Sequence, residues 1–376
     1  MEYIKLGDIA TYINGYSFKP SDWKTEGTPI VRIQNLTGFN GNYNYTDKEV
    51  DSKYKIKRGD ILISWSASIG VYEWEGEDAF LNQHIFKVEF NKICINKQYF
   101  KYAVEQSLDK AIKFMHGSTM KHITKKYFDN ILIPVPNLEQ QEKIVKILNK
   151  AESLINMKRA QLDYQDELVK SRFVEMFGDP ITNPMGWEKE KLNNLGELAR
   201  GKSKYRPRNA PELLSGPYPL IQTGDISNSG IYLKEYKQTY SELGLKQSKM
   251  WNKGTLCITI AANIAKTSIL TFDACFPDSV VGFVPNNKTN NIFVQVWFTF
   301  LQQILENSAP ESAQKNINLK ILGEQDVINP PIELQKQFAD FVTQVDKLKF
   351  EMEKSLKELE DNFNSLMQKA FKGELF

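Results

Sequence analysis

The sequence predicts an α+β chain: two similar α/β domains, separated by an antiparallel coiled coil of two long helices, with a pseudo-two-fold internal repeat. Three observations predict it. Strings from the first half return in the second at an offset of about 190–195 residues. Two stretches of about 40 residues carry apolar side chains every three or four positions. Pro and Gly punctuate the chain where each stretch begins and ends.

The repeat is read first, because it sets the architecture. Leu6-Gly7-Asp8-Ile9-Ala10 returns as Leu195-Gly196-Glu197-Leu198-Ala199, and Pro29-Ile30-Val31 as Pro219-Leu220-Ile221. Lys57–Ser64 returns as Asn252–Thr259, and Ser68-Ile69-Gly70 as Asn263-Ile264-Ala265. Ile133-Pro134-Val135-Pro136 matches Ile328-Asn329-Pro330-Pro331, and Gln140 matches Gln335. Short β-branched runs beside Gly turns, such as Ile61-Leu62-Ile63 and Leu256-Cys257-Ile258, read as strands. Gln98–Phe114 and Ile292–Leu305 read as helices. The division is 1–136 and 187–331 for the domains, 137–178 and 332–376 for the long helices, and 179–186 for the linker.

The first long helix is predicted over Leu138–Phe177. Asn137 caps it, Gln140 completes a capping-box pattern, and Gly178-Asp179-Pro180 stops it. Its seam is Ile144, Leu148, Ala151, Ile155, Leu162, Val169 and Met176, with polar members Lys158, Gln165 and Arg172. The second is predicted over Ile332–Phe371, with a seam of Phe338, Phe341, Val345, Leu348, Met352, Leu359 and Leu366, interrupted by Ser355 and Asn362. An apolar stripe held in phase over five heptads needs a partner along its length. Pairing the helices with each other supplies one. The alternative is that each helix packs on its own domain.

Composition bounds the function. At 376 residues the chain has room for two or three domains, and 41% hydrophobic with 25% charged residues is an ordinary globular balance. The most apolar window, Ile292–Leu301, falls short of the roughly 18–20 residues that span a bilayer. Three scattered cysteines, Cys94, Cys257 and Cys275, argue against a disulfide framework and for a cytoplasmic protein. Net charge is only +2, but its distribution is uneven. Residues 1–136 carry 18 Lys+Arg against 16 Asp+Glu, and residues 187–332 carry 16 against 13, so both domains are mildly basic. Capture of DNA needs a local basic face rather than a basic total.

Several junction strings resemble the specificity subunits of type I restriction-modification enzymes. They are Leu6-Gly7-Asp8-Ile9, Ile133-Pro134-Val135-Pro136-Asn137-Leu138-Glu139-Gln140-Gln141, Met176-Phe177-Gly178-Asp179-Pro180 and Ala370-Phe371-Lys372-Gly373-Glu374-Leu375. The entry to the second helix, Pro330-Pro331-Ile332-Glu333-Leu334-Gln335, departs slightly from the doubled-glutamine form of the first. The resemblance implies two target-recognition domains, each reading one half of a split site on double-stranded DNA. It implies that the helices act as a spacer and dock two methyltransferase subunits, with motor-nuclease subunits joining that core. S-adenosylmethionine, ATP and magnesium would then sit on those partners and none in this chain. Neighbouring readings are a methyltransferase-only or type II-like system, a stand-alone nuclease, and a coiled-coil scaffold with no DNA role.

The strongest candidate for DNA contact is Arg200-Gly201-Lys202-Ser203-Lys204-Tyr205-Arg206-Pro207-Arg208, with five cations in nine residues. Such a loop can follow phosphates, and Arg can grip guanine bidentately; the alternative is a solvated charge run. Reversing Arg206 and Arg208 to Glu is expected to abolish DNA binding without unfolding the chain. In the first domain the same place is held by Asn14, Tyr16 and Lys19, far less basic, so the domains should read different sequences. Arg32, Gln34 and Asn35 follow a predicted strand, as do Gln222, Thr223 and Asp225. Amides suit adenine edges and Asp can accept from cytosine, although strand-end polarity explains such residues equally well. Lys121, Lys125 and Lys126, with Lys315 and Asn316, are candidate phosphate contacts.

Catalytic signatures are weak. Asn329-Pro330-Pro331-Ile332 resembles the catalytic string of adenine methyltransferases, but the aromatic is missing and no Gly-rich cofactor loop follows a strand. Its counterpart, Pro134-Val135-Pro136, marks it as a helix entry. Asp225 with Glu235-Tyr236-Lys237 loosely matches a metal-dependent nuclease, without an equivalent in the first repeat. His84, His116 and His122 lack ligand partners at metal-site spacing.

Overall fold

The computed structural model describes residues 2–38, 42–114, 123–261, 264–308 and 317–375, with side chains included except at 110–114 and 303–308. Its contacts separate into two units, residues 1–158 with 355–376 and residues 159–354, so each unit holds part of both long helices.

In chain order the elements begin with β1 (Glu2–Lys5), α1 (Leu6–Ile9), β2 (Thr11–Asn14), β3 (Thr28–Val31), α2 (Ile33–Leu36), β4 (Asn44–Thr46), β5 (Lys55–Ile56) and β6 (Ile61–Ser64). There follow β7 (Gly70–Glu73), β8 (Ala79–Leu81), β9 (Ile85–Glu89), α3 (Lys97–Phe114), α4 (Lys125–Asp129), β10 (Leu132–Val135) and the long α5 (Leu138–Phe177). The second half starts with β11 (Lys189–Lys191), α6 (Leu192–Leu195), β12 (Gly196–Arg200), β13 (Leu214–Leu220), α7 (Thr223–Ser227), β14 (Tyr232–Leu233), β15 (Gln238–Tyr240), α8 (Glu242–Lys246) and β16 (Met250–Trp251). It closes with β17 (Leu256–Thr259), β18 (Thr267–Leu270), β19 (Ala274–Cys275), β20 (Val280–Pro285), α9 (Asn291–Ser308), α10 (Leu319–Gly323), β21 (Asp326–Ile328) and the long α11 (Ile332–Lys372).

The two units share one plan. The first has sheets β2-β9-β6-β7 and β4-β3-β8-β5 and the pair β1-β10. The second has β12-β20-β17-β18, extended by β14, then β15-β13-β19-β16 and the pair β11-β21. Even the parallel pairing recurs, β3 with β8 and β13 with β19. One shared turn shows why the sequences agree there. Gly59 and Gly254 sit at φ +86° and +88°, a region that favours glycine, and donate N–H bonds of 2.8 Å to the Trp74 and Leu270 carbonyls.

Two of the sequence matches need correction. Leu6 finds its counterpart at Leu192, three residues before the string that matches by eye. Leu6 N–H donates to the Ile131 carbonyl (2.9 Å) and Leu192 N–H to that of Gln325 (3.0 Å). Both start a one-turn helix whose first and last residues are buried, so a Leu-x-x-Leu turn slid by its own length in the comparison. The partner of Gln335 is Gln141 rather than Gln140. Gln141 Nε2 donates to the Pro136 carbonyl (2.8 Å) and its Oε1 accepts from Asn96 N–H (2.8 Å). Gln335 Nε2 donates to the Pro330 carbonyl (2.8 Å) and its Oε1 accepts from Asn290 N–H (3.0 Å) and the Thr289 hydroxyl (2.9 Å). Gln140 instead gives its N–H to Asn137 Oδ1 (2.9 Å), the expected cap.

Both long helices end at glycines of positive φ, Gly178 (+76°) and Gly373 (+78°). Within each unit they run antiparallel. In the second, Lys349 Nζ reaches Asp166 (2.8 Å), the Arg172 guanidinium lies 5.8 Å from the Phe341 ring centre, and Phe177 packs on Phe338. In the first, Ile144 and Leu148 of α5 share a core with Met367, Ala370 and Phe371 of α11. The helices also enter the domain cores, so the pairing and the packing-on-domain alternatives are both realised. Phe173 and Phe177, absent from the expected seam, are fully buried against Phe293 of α9 and Phe338. The α5 seam is as expected, and the α11 seam, Phe341 included, departs from expectation at two positions. Leu348 is 60% exposed and Asn362 is exposed. Their places belong to Lys349 and Phe363, and the inward series is Phe338, Val342, Val345, Lys349, Met352, Leu356, Leu359, Phe363, Leu366 and Ala370.

Candidate nucleic-acid interface

In the first unit the chain leaves β2 at Asn14, whose Oδ1 accepts from Trp65 Nε1 (3.2 Å). Gly15 follows, with its N–H on the Ile85 carbonyl (3.0 Å). A Cβ at Gly15 would stand 2.1 Å from the Asn82 carbonyl oxygen, so only glycine lets the loop cross there. Tyr16 then bridges to Asn82 and packs edge-on against Phe18 (4.8 Å) and Tyr54 (5.5 Å), with Lys48 Nζ 5.1 Å from its ring centre. Lys19 N–H donates to Asp22 (2.9 Å), which also pairs with Lys48 (3.1 Å). The Lys19 N–H and the Lys48 amine hold the Asp22 carboxyl below its usual range; the Tyr16 hydroxyl and Asp22 raise Lys48.

The same crossed segment carries the second group. Asn82 N–H donates to the Val31 carbonyl (3.0 Å), directly before Arg32. Arg32 lies 5.1 Å over the Trp23 ring, donates to Asn44 Oδ1 (3.0 Å) and bonds Gln34 Oε1. Asn35 turns its Oδ1 back to Arg32 N–H (3.0 Å), which assigns it to the turn. Lys125 is held by Asp129 (2.9 Å) and lies over the Tyr12 and Phe86 rings. Lys121, Lys315 and Asn316, with His116 and His122, lie outside the described residues.

The second unit repeats this crossing. Gly201 donates to the Val280 carbonyl (2.9 Å), and a Cβ there would stand 2.2 Å from the Phe276 carbonyl oxygen. The cationic loop is braced rather than loose. Gln247 Oε1 accepts from the N–H groups of Lys204 (2.6 Å) and Tyr205 (3.1 Å). The Tyr205 hydroxyl donates to Glu212 (3.1 Å), whose negative charge raises its pKa. Arg206 donates to the Ser203 and Tyr205 carbonyls (2.6 and 2.8 Å), and Arg208 pairs with Asp278 (2.6 Å). Arg200, Lys202 and Lys204 are exposed and make no ion pair among the described residues. Beside them, Ile221 N–H donates to the Cys275 carbonyl (2.8 Å), then Gln222 Nε2 to Gln238 Oε1 (3.3 Å). Asp225 accepts from Gln222 N–H (2.8 Å), and the Thr223 carbonyl accepts from the Ser227 hydroxyl (2.8 Å). In each unit both candidate groups therefore adjoin the end of one strand, β8 in the first and β19 in the second.

The suspected catalytic strings have structural employment. Asn329 Oδ1 accepts from Gln335 Nε2 (3.2 Å), within the helix entry. Asp225, Glu235 and Lys237 line a groove of about 390 Å³, with Asp225 committed to its turn. Among the described residues no group of three His, Cys, Asp or Glu could hold a metal, and no helix is long and apolar enough to cross a membrane.

The family model "Type I restriction modification DNA specificity domain" matches residues 1–164 and again 184–361. The chain belongs to that specificity family. This specificity chain is 24% identical over 408 residues to the type I restriction enzyme EcoBI specificity subunit of Escherichia coli, covering 99% of this chain and 85% of that one. It is 22% identical over 402 residues to the putative type I restriction enzyme MjaX specificity subunit of Methanocaldococcus jannaschii, covering 100% and 93%. Among solved structures, one of a type I restriction-modification system, concerned with complex assembly and conformational transition, aligns with TM-score 0.60 at 16% identity over 100% of this chain and 98% of that one. The specificity subunit from M. genitalium aligns at 0.51 and 17%, covering 98% and 96%. These likenesses show that the specificity chain has the fold of those subunits. Sequence reasoning missed several residues that brace the candidate interface: Trp23, Asn44 and Lys48 in the first unit, and Gln238, Gln247 and Asp278 in the second. Each lies nine or more positions from the residue it braces; in the first unit the alternation of aromatics and cations over 16–54 was the one available signal, and the second unit offered none.

Proposed function

We propose that this chain is the DNA-reading subunit of a type I restriction-modification complex, that it recognises a bipartite target with one half-site per domain, and that it performs no chemistry itself. The observation that carries the reading is the duplicated strand end. Two domains of one topology present the same glycine-crossed loop and equivalent strand-end positions, with side chains that differ in charge and hydrogen-bonding groups. Two similar readers in one chain suit two half-sites, because half-site spacing follows protein geometry. The cations Arg200, Lys202 and Lys204 supply phosphate contacts that position the second domain without selecting sequence.

The long helices act as spacer and docking surface in this reading. A 40-residue helix extends about 60 Å at 1.5 Å per residue. Two methyltransferase subunits dock there, joined by motor-nuclease subunits, and S-adenosylmethionine, ATP and magnesium are held by those partners. A mobility-shift assay on mixed duplex fragments, with the host methyltransferase subunit added and omitted, tests the reading alongside plasmid incubation with magnesium. The expected result is retention of a subset of fragments, tightened by the methyltransferase, with plasmid left intact by the chain alone. Cleavage by the purified chain would replace the proposal with a nuclease. Failure to retain any fragment with the partner present would leave a scaffold.

A further inference from the structure

At one position the two domains offer the same backbone and different chemistry. Ile30 of β3 pairs with Asn44, and Leu220 of β13 pairs with Gln238. Two residues beyond each stand Arg32 and Gln222, whose N–H groups are caught by Asn35 Oδ1 (3.0 Å) and Asp225 Oδ2 (2.8 Å). Each side chain then reaches that cross-strand partner: Arg32 donates to Asn44 Oδ1 at 3.0 Å, Gln222 to Gln238 Oε1 at 3.3 Å. The turn is thus fixed by the backbone, and what varies is the group it projects.

We propose that Arg32 with Asn44 and Gln222 with Gln238 are the equivalent base-reading pairs of the two domains, Arg32 selecting guanine and Gln222 selecting adenine. This rests on the DNA-recognition reading above. Arg32 is stacked over Trp23 and committed to Asn44 and Gln34, which uses two of the five guanidinium N–H donors and leaves three in a fixed plane. Paired parallel donors match the O6 and N7 acceptors of guanine in the major groove. Gln222 is exposed, and its single bond to Gln238 leaves one N–H and the carbonyl oxygen, the donor and acceptor that adenine N7 and N6 require. Bracing by a neighbouring strand lowers the ordering cost of presenting either group to a base.

The test uses the full chain with its methyltransferase partner and selection from randomised duplexes. The variants exchange the pairs: Arg32→Gln with Asn44→Gln, and separately Gln222→Arg with Gln238→Asn. The first exchange should replace one guanine by adenine in one block of selected bases and leave the other block unchanged; the second should do the converse. Affinity for the original target should fall roughly ten- to a hundredfold, the range of one lost bidentate contact. Arg32→Ala removes every guanidinium donor, so it should lose the guanine preference as well. Base preferences identical to wild type in both exchanges would overturn the proposal, as would a retained guanine in Arg32→Ala. Loss of a whole block would also overturn it, because the pair would then be holding the domain together. If the wild type selects no block at all, the DNA-reading proposal fails first.

Discussion

Gln141 and Gln335 carry the same duty in the two units. Each is buried in the first turn of a long helix and ties that turn to the N–H of the asparagine preceding the domain helix. Replacing either by Leu leaves a buried N–H and a buried carbonyl unpaired, and should cost about 1–3 kcal/mol in urea unfolding of the full chain. A loss within error of zero would remove the glutamines from the account. In the cationic loop the structure redirects the choice of variants. Arg206 is spent on carbonyls of its own loop and Arg208 on Asp278, so reversing them also loosens the loop. Lys202→Glu with Lys204→Glu is the cleaner test. It should weaken duplex binding across all sequences and flatten its dependence on salt, measured by fluorescence anisotropy. Glu105 supplies a pH prediction. Burial pushes its carboxyl up to about 7, opposed by Lys101 and assisted by Glu152 and Asp109. Its folded pKa exceeds the unfolded one, so stability is greatest below the ordinary carboxylate range and falls as pH rises toward 7. Glu105→Gln should flatten that slope in unfolding free energies measured between pH 4.5 and 7.5.

At the scale of elements, the aromatic cluster where the helices enter the second core is the strongest joint. Phe173 packs on Phe177, Phe293, Phe300 and Phe338, and Phe173→Ala should cost about 3–5 kcal/mol by urea denaturation, whereas an exposed change such as Leu348→Ala should cost little. The same elements show what was legible in the residues. The α5 seam was readable because its apolar positions admit one phase. In α11 the positions Phe338, Val345, Met352, Leu359 and Leu366 serve two phases, and the choice between Leu348 and Lys349 is made by the partner, where Asp166 meets Lys349. Phe173 and Phe177 escaped because a pairing seam and a core-facing stripe overlap at the helix end. The short helices α2 and α7 escaped because four or five residues carry no period; caps from Asn35 and Asp225 define them. At the site, the loop Arg200–Arg208 was legible from its charge. Gln247 and Asp278, which brace it, were not, since they lie 42 to 70 positions from the residues they hold and such pairing leaves no local pattern.

At the scale of the molecule, one plan appears twice with different surfaces. The family model matches both halves, and both units repeat the same sheets, the same glycine crossing and the same glutamine clasp. Duplication of a reader predicts a duplicated target, and divergence of charge predicts unequal halves. The direct measurement is selection of randomised duplexes by the chain with its methyltransferase partner, using wild type and Lys202→Glu with Lys204→Glu side by side. The account predicts two blocks of defined bases around an unread gap, with the variant keeping both blocks at lower affinity. A single uninterrupted block, or altered base preferences in the variant, would contradict it.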